Sequence, residues 1–324
     1  MLIYLVVSLF AFLMTLIVTP VVIRICRKYG IVDRPDERRI HKEPIPRLGG
    51  IAVIVSVIFT VLSFTTLILL FDPEFFKVKY FKYDFLQIIG ILFALFVITL
   101  VGIMDDLFDI QAKIKLLFQF ICANILYFTG SKITFLSSFT SYPVFVGDFL
   151  SYVLTVLWIV GLTNAINLID GMDGALAGIS AITSFTLGLL AIIQGQTVLA
   201  VFVFTLGGSL LGFLRYNFNP AKIFLGDTGS MFIGMFMSIV SLLGYFKKAT
   251  LISLIIPIIV FAIPIFDTLW AIIRRILKGQ HIFQPDKEHI HHKLLQLGLN
   301  QKQAAFILYF ITIFLSAVAI MIIK

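Results

Sequence analysis

Apolar residues fall in ten long runs separated by short polar segments, at about 2–25, 50–71, 84–104, 114–130, 149–168, 174–193, 197–214, 230–246, 250–272 and 303–323. Each run is long enough to cross a hydrocarbon core of roughly 30 Å as a helix. Helices satisfy their own backbone groups, which lipid cannot do, so the pattern predicts an all-α integral membrane bundle of about ten transmembrane helices. The first run has no charged leader and no small-residue cleavage site after it, so it is expected to be a retained helix and not a signal peptide. Spans 2 to 8 are joined by short connections that leave no room for a separate soluble unit. The expectation is one polytopic domain over 1–324, with loops on one face at about 26–49, 105–113, 169–173, 215–229 and 273–302.

Composition agrees: 60% hydrophobic residues, 13% charged and a mean hydropathy of +1.07 exclude a soluble domain. The net charge of +8 would suit nucleic acid, but its distribution points elsewhere. Most lysines and arginines, among them Arg34, Arg38, Arg39, Lys42 and Arg47, lie in or beside the loops after spans 1, 3, 5, 7 and 9. The positive-inside rule makes those loops cytoplasmic and both termini external, with no nucleic-acid partner. Acidic residues gather there too; only Asp72, Glu74, Asp84 and Asp148 fall on the other side. Cys26 and Cys122 offer neither a disulfide framework nor zinc spacing.

Candidate chemistry collects at the same face. In NAINLIDGMDGALAG, Asn164, Asn167, Asp170 and Asp173 recur every three residues and would form one drifting stripe on a helix. Gly171 and Gly174 indicate a bend or a close approach; a plain polar turn is the alternative. In GIMDDLFDIQAKIKLLFQ, Asp105 and Asp106 stand together at a helix end, with Lys113 and Lys115 about two turns on. Adjacent carboxylates near a low-dielectric boundary repel unless they share a proton or a cation. The pair is either a solvated helix end or a divalent-cation site, where magnesium, with manganese second, suits oxygen ligands and phosphates better than zinc.

FLRYNFNPAKIFLGDTGS carries Arg215, Asn217, Asn219, Lys222 and Asp227. Its GDTGS turn reads equally as a helix cap, which leaves the two asparagines at a span end for recognition of a base or sugar. IIRRILKGQHIFQPDKEHIHHKLL holds Arg274, Arg275, Pro285, His281, His289, His291 and His292. Anion recognition, a solvated basic loop and a zinc site short of a third ligand all remain open there. DRPDERRIHKEPIPRLGG is a positive-inside loop or a cover over a phosphate-bearing ligand. Carboxylates for a metal, cations for phosphate oxygens and amides for a polar group together suit phosphoryl transfer. Neither GxSxG nor a Walker P-loop occurs.

The set DDLFD with AKIK, NAINLIDGMDG, NFNPAKIFLGDTGS and HIHH, in this order on alternating loops, resembles the polyprenyl-phosphate N-acetylhexosamine-1-phosphate transferase superfamily over nearly the whole chain. HIHH with the preceding DTLWAIIRR is similar to its WecA and TagO branch, which forms lipid-linked GlcNAc-phosphate. The MraY branch, acting on UDP-MurNAc-pentapeptide, typically carries HHH and PTMGG where this chain has HIHH and Pro46-Arg47-Leu48-Gly49-Gly50. The resemblance implies attack of undecaprenyl phosphate on the β-phosphorus of UDP-GlcNAc or another UDP-N-acetylhexosamine. UMP leaves and a lipid diphosphate sugar forms, the first membrane step of a cell-envelope glycan such as lipopolysaccharide or teichoic acid.

By matched motif the resemblance implies magnesium at Asp106 and Asp227, and the acceptor phosphate at Asp105 as positioner or general base. Lys113 and Lys115 would neutralise phosphate oxygens. Asn217, Phe224, Asp170 and Asp173 would hold the uridine, and Asn167, Arg275, His289, His291 and His292 the sugar phosphate; Asn164 joins the substrate-binding set. The implied partners are the UDP-sugar, the prenyl lipid and the bilayer, with a homodimer open, in the cytoplasmic (inner) membrane. An ion-coupled transporter is the rival from another class, but transporters place such acids near the midplane, often in repeated halves. A non-catalytic scaffold would leave Asp105, Asp106 and Asp227 freely replaceable. A CDP-alcohol phosphotransferase needs aspartates shortly after Asp173, and the next is Asp227.

Overall fold

Because lipid offers backbone groups no partners, the apolar runs become helices whose ends fall where charge or glycine begins. A computed structural model of the chain describes residues 1–33, 43–71, 84–133, 135–137, 143–145, 147–244, 251–279 and 288–323. The long helices are α1 (Leu2–Tyr29), α2 (Gly49–Phe71), α3 (Phe85–Phe108), α4 (Ala112–Phe128), α5 (Asp148–Leu168), α6 (Ala175–Ile193), α7 (Thr197–Asn217) and α8 (Gly226–Gly244). They are followed by α9 (Leu251–Val260), α10 (Ala262–Leu277), the short α11 (Ile290–Gln296) and α12 (Gln301–Ile323). Two small antiparallel pairs sit in the connections: β1 (Val32–Asp33) with β2 (Ile45–Pro46), and β3 (Phe135–Ser137) with β4 (Pro143–Phe145).

Eight helices, not ten, are long and apolar enough to cross a membrane among the described residues: α1, α2, α3, α5, α6, α7, α8 and α12. The fourth apolar run forms α4, whose 17 residues reach only about 25 Å at 1.5 Å per residue. The ninth run is divided, with α9 ending at Val260 and α10 starting at Ala262. Pro264 has no N–H for the Val260 carbonyl, and its ring crowds that carbonyl, so one continuous helix is broken there. The fold is a multi-pass membrane bundle. Arg34, Arg38, Arg39, Lys42, Asp72, Glu74, His281 and Pro285 lie outside the described residues.

The bundle is organised around α8. It is the least apolar of the eight, at mean hydropathy 1.4, yet 89% of it is buried, whereas α12 at 2.8 is 22% buried. A helix shielded by its neighbours need not dissolve in lipid, so Ser230, Ser238 and Ser241 sit inside at no more than 1% exposure. The start of α8 is wedged between two glycines. A Cβ on Gly50 of α2 would lie 2.2 Å from Gly229 N, and one on Gly102 of α3 2.5 Å from Thr228 Cα. Small residues let helix backbones approach this closely. The segment before α8 is pinned as well: Phe224 N donates to Pro46 O, and Gly49 N and Gly50 N donate to Phe224 O and Leu225 O at 2.7–2.9 Å. A helix start is thereby fixed against the starts and ends of two others at one end of the bundle.

Candidate active site

The polar end of the bundle opens into a cavity of about 830 Å³. Its walls include Asp106, Lys115, Asn167, Asp170, Asp173, Asn217, Phe224, Asp227 and His292. Nine side chains singled out by motif therefore face one space, brought there from α3, α4, α5, α7, α8, α11 and two loops.

At its floor Asp106, 4% exposed, faces the start of α8. Its Oδ1 accepts the Asp227 N–H at 2.9 Å, and Oδ2 accepts the Thr228 N–H at 3.0 Å and the Thr228 hydroxyl at 2.6 Å. A helix start leaves such N–H groups without partners and carries partial positive charge, so a carboxylate there both caps and neutralises it. Three of the four lone-pair positions of Asp106 are taken up in this way. Its neighbour Asp105, also 4% exposed, lies behind the wall with its carboxyl close to that of Asp227. Lys115 joins the pair, its Nζ 3.0 Å from Asp105 Oδ2 and 3.5 Å from Asp227 Oδ2. Asn167 Nδ2 donates to Asp227 Oδ1 and lies 2.7 Å from Ser230 Oγ. Two carboxylates in contact need a proton or a cation between them.

Asp170 adds a further carboxylate to the wall. Its desolvation, then the charges of Asp227, Asp106 and Asp173, hold its carboxyl well above the ordinary range. Asp173 braces the next loop instead: its Oδ2 accepts Asn219 Nδ2 at 2.8 Å and Ala221 N at 3.0 Å. Asn217 ties both loops together, taking Gly174 N on Oδ1 and giving Nδ2 to Ile223 O.

The histidine segment closes one side. His291 is buried at 3% exposure and rests on Gly171, where a Cβ would come within 2.4 Å of its Nε2. Only glycine leaves room for that ring. Burial, with His292 and His289 beside it, pushes the His291 imidazole down to about 4, and its buried Nδ1 has no hydrogen-bond partner among the described residues. His292 lies against it at 4.3 Å between ring centroids and reaches the wall.

Six motif residues are not part of the wall: Asp105 and His291, which lie behind wall residues, and Lys113, Asn164, Arg275 and His289. Lys113 is exposed on the opposite side of α4 from Lys115, as their two-residue spacing on a helix requires. Asn164 forms an amide pair with Gln119 (Nδ2 to Oε1, 2.5 Å) that ties α4 to α5 below the site. Arg275 and His289 are buried, at 7% and 6%, and are not wall residues. The wall also contains Asp33 and Glu43 from the DRPDERRIHKEPIPRLGG loop, and Gln301, which no motif singled out. Arg47, another wall residue, links Asp33 (3.6 Å) to Asp109 (3.1 Å). Gln301 left little signal, being a lone uncharged polar residue at the start of an apolar helix.

No group of three or more His, Cys, Asp or Glu side chains is placed to hold a metal ion among the described residues. The donors that are present nevertheless fit magnesium, which binds through one or two carboxylates plus phosphate oxygens and water in preference to a protein cage.

The structure thus places an acid-rich, lysine-bridged cavity at the end of a helical membrane bundle, and comparison with known proteins gives its class. The glycosyl transferase family 4 model matches residues 88–245. The chain is 42% identical over 308 residues to a probable undecaprenyl-phosphate N-acetylglucosaminyl 1-phosphate transferase of Bacillus subtilis, covering 95% of this chain and 82% of that one. It is 32% identical to a decaprenyl-phosphate N-acetylglucosaminephosphotransferase of Mycobacterium tuberculosis, covering 94% and 78%. A third relative, the undecaprenyl-phosphate alpha-N-acetylglucosaminyl 1-phosphate transferase of Escherichia coli K12, is 29% identical over 92% of this chain and 78% of its own. The chain belongs to glycosyl transferase family 4, the polyprenyl-phosphate sugar-1-phosphate transferases.

Proposed function

We propose that the protein transfers GlcNAc-1-phosphate from UDP-GlcNAc to undecaprenyl phosphate, releasing UMP and leaving undecaprenyl-diphosphate-GlcNAc. The names of its relatives carry this reaction, and the observation that supports it most is the Asp105, Lys115 and Asp227 cluster, of which Lys115 and Asp227 are cavity-wall residues. In-line phosphoryl transfer asks for positioned oxygens and offset negative charge, which this cluster is built to give. The bias of lysine and arginine towards alternate loops supports a cavity on the cytoplasmic face of the inner membrane, with both termini outside.

Asp227 together with Asp105 would hold the divalent metal, magnesium first and manganese second. When bound it neutralises the diphosphate oxygens and the departing UMP. Asp106, expected from the motif as a ligand, serves in this reading to hold the start of α8 and so to aim Asp227. Asn167 fixes the other oxygen of Asp227. Lys115 places a cation where the acceptor phosphate meets the diphosphate. Asp105 orients that acceptor, which needs little help from a base because a phosphate monoester is already largely ionised near neutral pH. Asp170, Asn217 and Phe224 line the space for the nucleoside, and His292 and Asn167 flank the sugar phosphate.

The reading is tested with purified protein in detergent, undecaprenyl phosphate, magnesium and sugar-labelled UDP-GlcNAc. Label in the organic phase is expected. Its absence with UDP-GlcNAc but presence with another UDP-N-acetylhexosamine or UDP-MurNAc-pentapeptide would change the donor, and absence with all of them would defeat the class.

A further inference from the structure

Asp267 has no part in the roles above, yet it sits in a run that hydropathy reads as membrane span, where an ionisable side chain is costly without a specific partner. It is 8% exposed, and both of its oxygens are engaged. Oδ2 lies 2.9 Å from His289 Nδ1, and Oδ1 accepts the Ile290 N–H at 2.8 Å. His289 is the residue that precedes α11 and Ile290 is the first residue within it. One carboxylate on α10 therefore grips both a histidine ring and the backbone at the start of the segment carrying His291 and His292.

The consequences run along three rings. An imidazole that faces a carboxylate through Nδ1 keeps a proton on that nitrogen, which settles its tautomer and its orientation. The His289 and His291 rings lie parallel within 3° at 6.0 Å, and His291 meets His292 at 4.3 Å. The far end of this row is on the cavity wall. Arg274 and Lys278 also hold the segment, through Glu288 at 3.2 and 2.5 Å, but Glu288 and Lys278 are more than two-fifths exposed, so water weakens that attachment.

We propose that Asp267 is a positioning residue of the donor site: by fixing His289 and the start of α11 it sets where His292 meets the sugar diphosphate. This rests on the function proposed above. The test compares wild type, Asp267→Asn and Asp267→Glu as full chains in detergent. In Asp267→Asn the amide oxygen can still accept the Ile290 N–H, but its NH2 cannot accept from His289 Nδ1, so the ring proton shifts to Nε2. The expected result is a rise of roughly 10- to 100-fold in KM for UDP-GlcNAc, the loss of one or two charge-assisted hydrogen bonds' worth of placement. The KM for undecaprenyl phosphate should stay near wild type, the thermal midpoint should fall only modestly with the one lost hydrogen bond, and Asp267→Glu should recover part of the donor affinity. In 15N spectra of histidine-labelled protein, one of the five histidines should change from the Nδ1–H to the Nε2–H pattern. An unchanged donor KM in Asp267→Asn, or an unchanged tautomer pattern, overturns the inference alone. Failure of the wild type to turn over any UDP-sugar defeats the function and this inference with it.

Discussion

Replacing Asp106 by Asn separates a brace from a metal ligand, because the two roles predict opposite signs in the metal-free protein. The wild-type carboxylate receives three hydrogen bonds from Asp227 and Thr228 at 2.6–3.0 Å. An asparagine in the same place keeps one accepting oxygen, enough for the two bonds from Thr228, and turns an NH2 towards the Asp227 N–H. One hydrogen bond to a charged acceptor is lost and a buried donor is left facing another donor, at about 1.5–3 kcal/mol for each bond of this kind. We expect a net destabilisation of about 2–3 kcal/mol, and a larger one of about 3–5 kcal/mol for Asp106→Ala, where the whole buried cap is gone. Thermal unfolding in detergent with EDTA measures it directly. If Asp106 served mainly to bind a cation, removing its charge from a crowd of carboxylates would relieve repulsion and raise the midpoint instead. An Asp106→Asn protein as stable as wild type in EDTA, or more so, would refute the bracing role.

Other predictions follow from neighbouring residues. Burial, and then Asp227, Asp106 and Asp173, raise the Asp170 carboxyl in the folded state; the protonated form is thereby favoured, so its stabilising share is complete below the unfolded value of about 4 and is lost as pH rises from there through the raised folded value. Asp170→Asn should therefore flatten the fall in thermal midpoint between acid and pH 8 in EDTA, and an identical pH dependence in both proteins would count against the reading. Lys115→Ala should reduce turnover by at least a hundredfold while Lys113→Ala stays within a few-fold, since only the first lysine reaches the Asp105 and Asp227 pair; equal losses would contradict this geometry. Gly102→Ala puts a methyl 2.5 Å from Thr228 Cα and should cost about 1–3 kcal/mol together with most of the activity, as α3 and α8 are pushed apart. A variant with wild-type midpoint and turnover would show that the helices are not held at that spacing.

How much of this was legible in the sequence depended on distance along the chain. The runs at 2–25 and 84–104 became α1 and α3 because lipid-facing helices need to be apolar and little else. The start of α8 was placed at 230 by hydropathy but lies at Gly226, since polar residues buried under α2 and α3 look like a loop to any hydropathy scale. The break before α10 was hidden for a similar reason: Pro257 and Pro264 leave an apolar run apolar. In the candidate site, nine of the motif residues share the wall of one cavity. What the motifs did not show is which polar residues are also tied into the scaffold. Asp106 is paired 121 and 122 residues away, Asp173 46 and 48 away, and Asn164 45 away. Partners at such separations leave no local pattern, so a bracing carboxylate and a catalytic one are written alike. Asp267 does leave a local trace, since a lone acid inside an apolar run is itself a signal.

The central claim, that these carboxylates and Lys115 serve transfer of a sugar phosphate and not of the sugar alone, is tested most directly with UDP-GlcNAc labelled at the β-phosphorus with 32P. Incubated with the protein, magnesium and undecaprenyl phosphate, the label should pass into the lipid phase while unlabelled UMP accumulates in equal amount. Label retained in water as UDP would mean that the sugar–phosphate bond was cut instead, and would contradict the account.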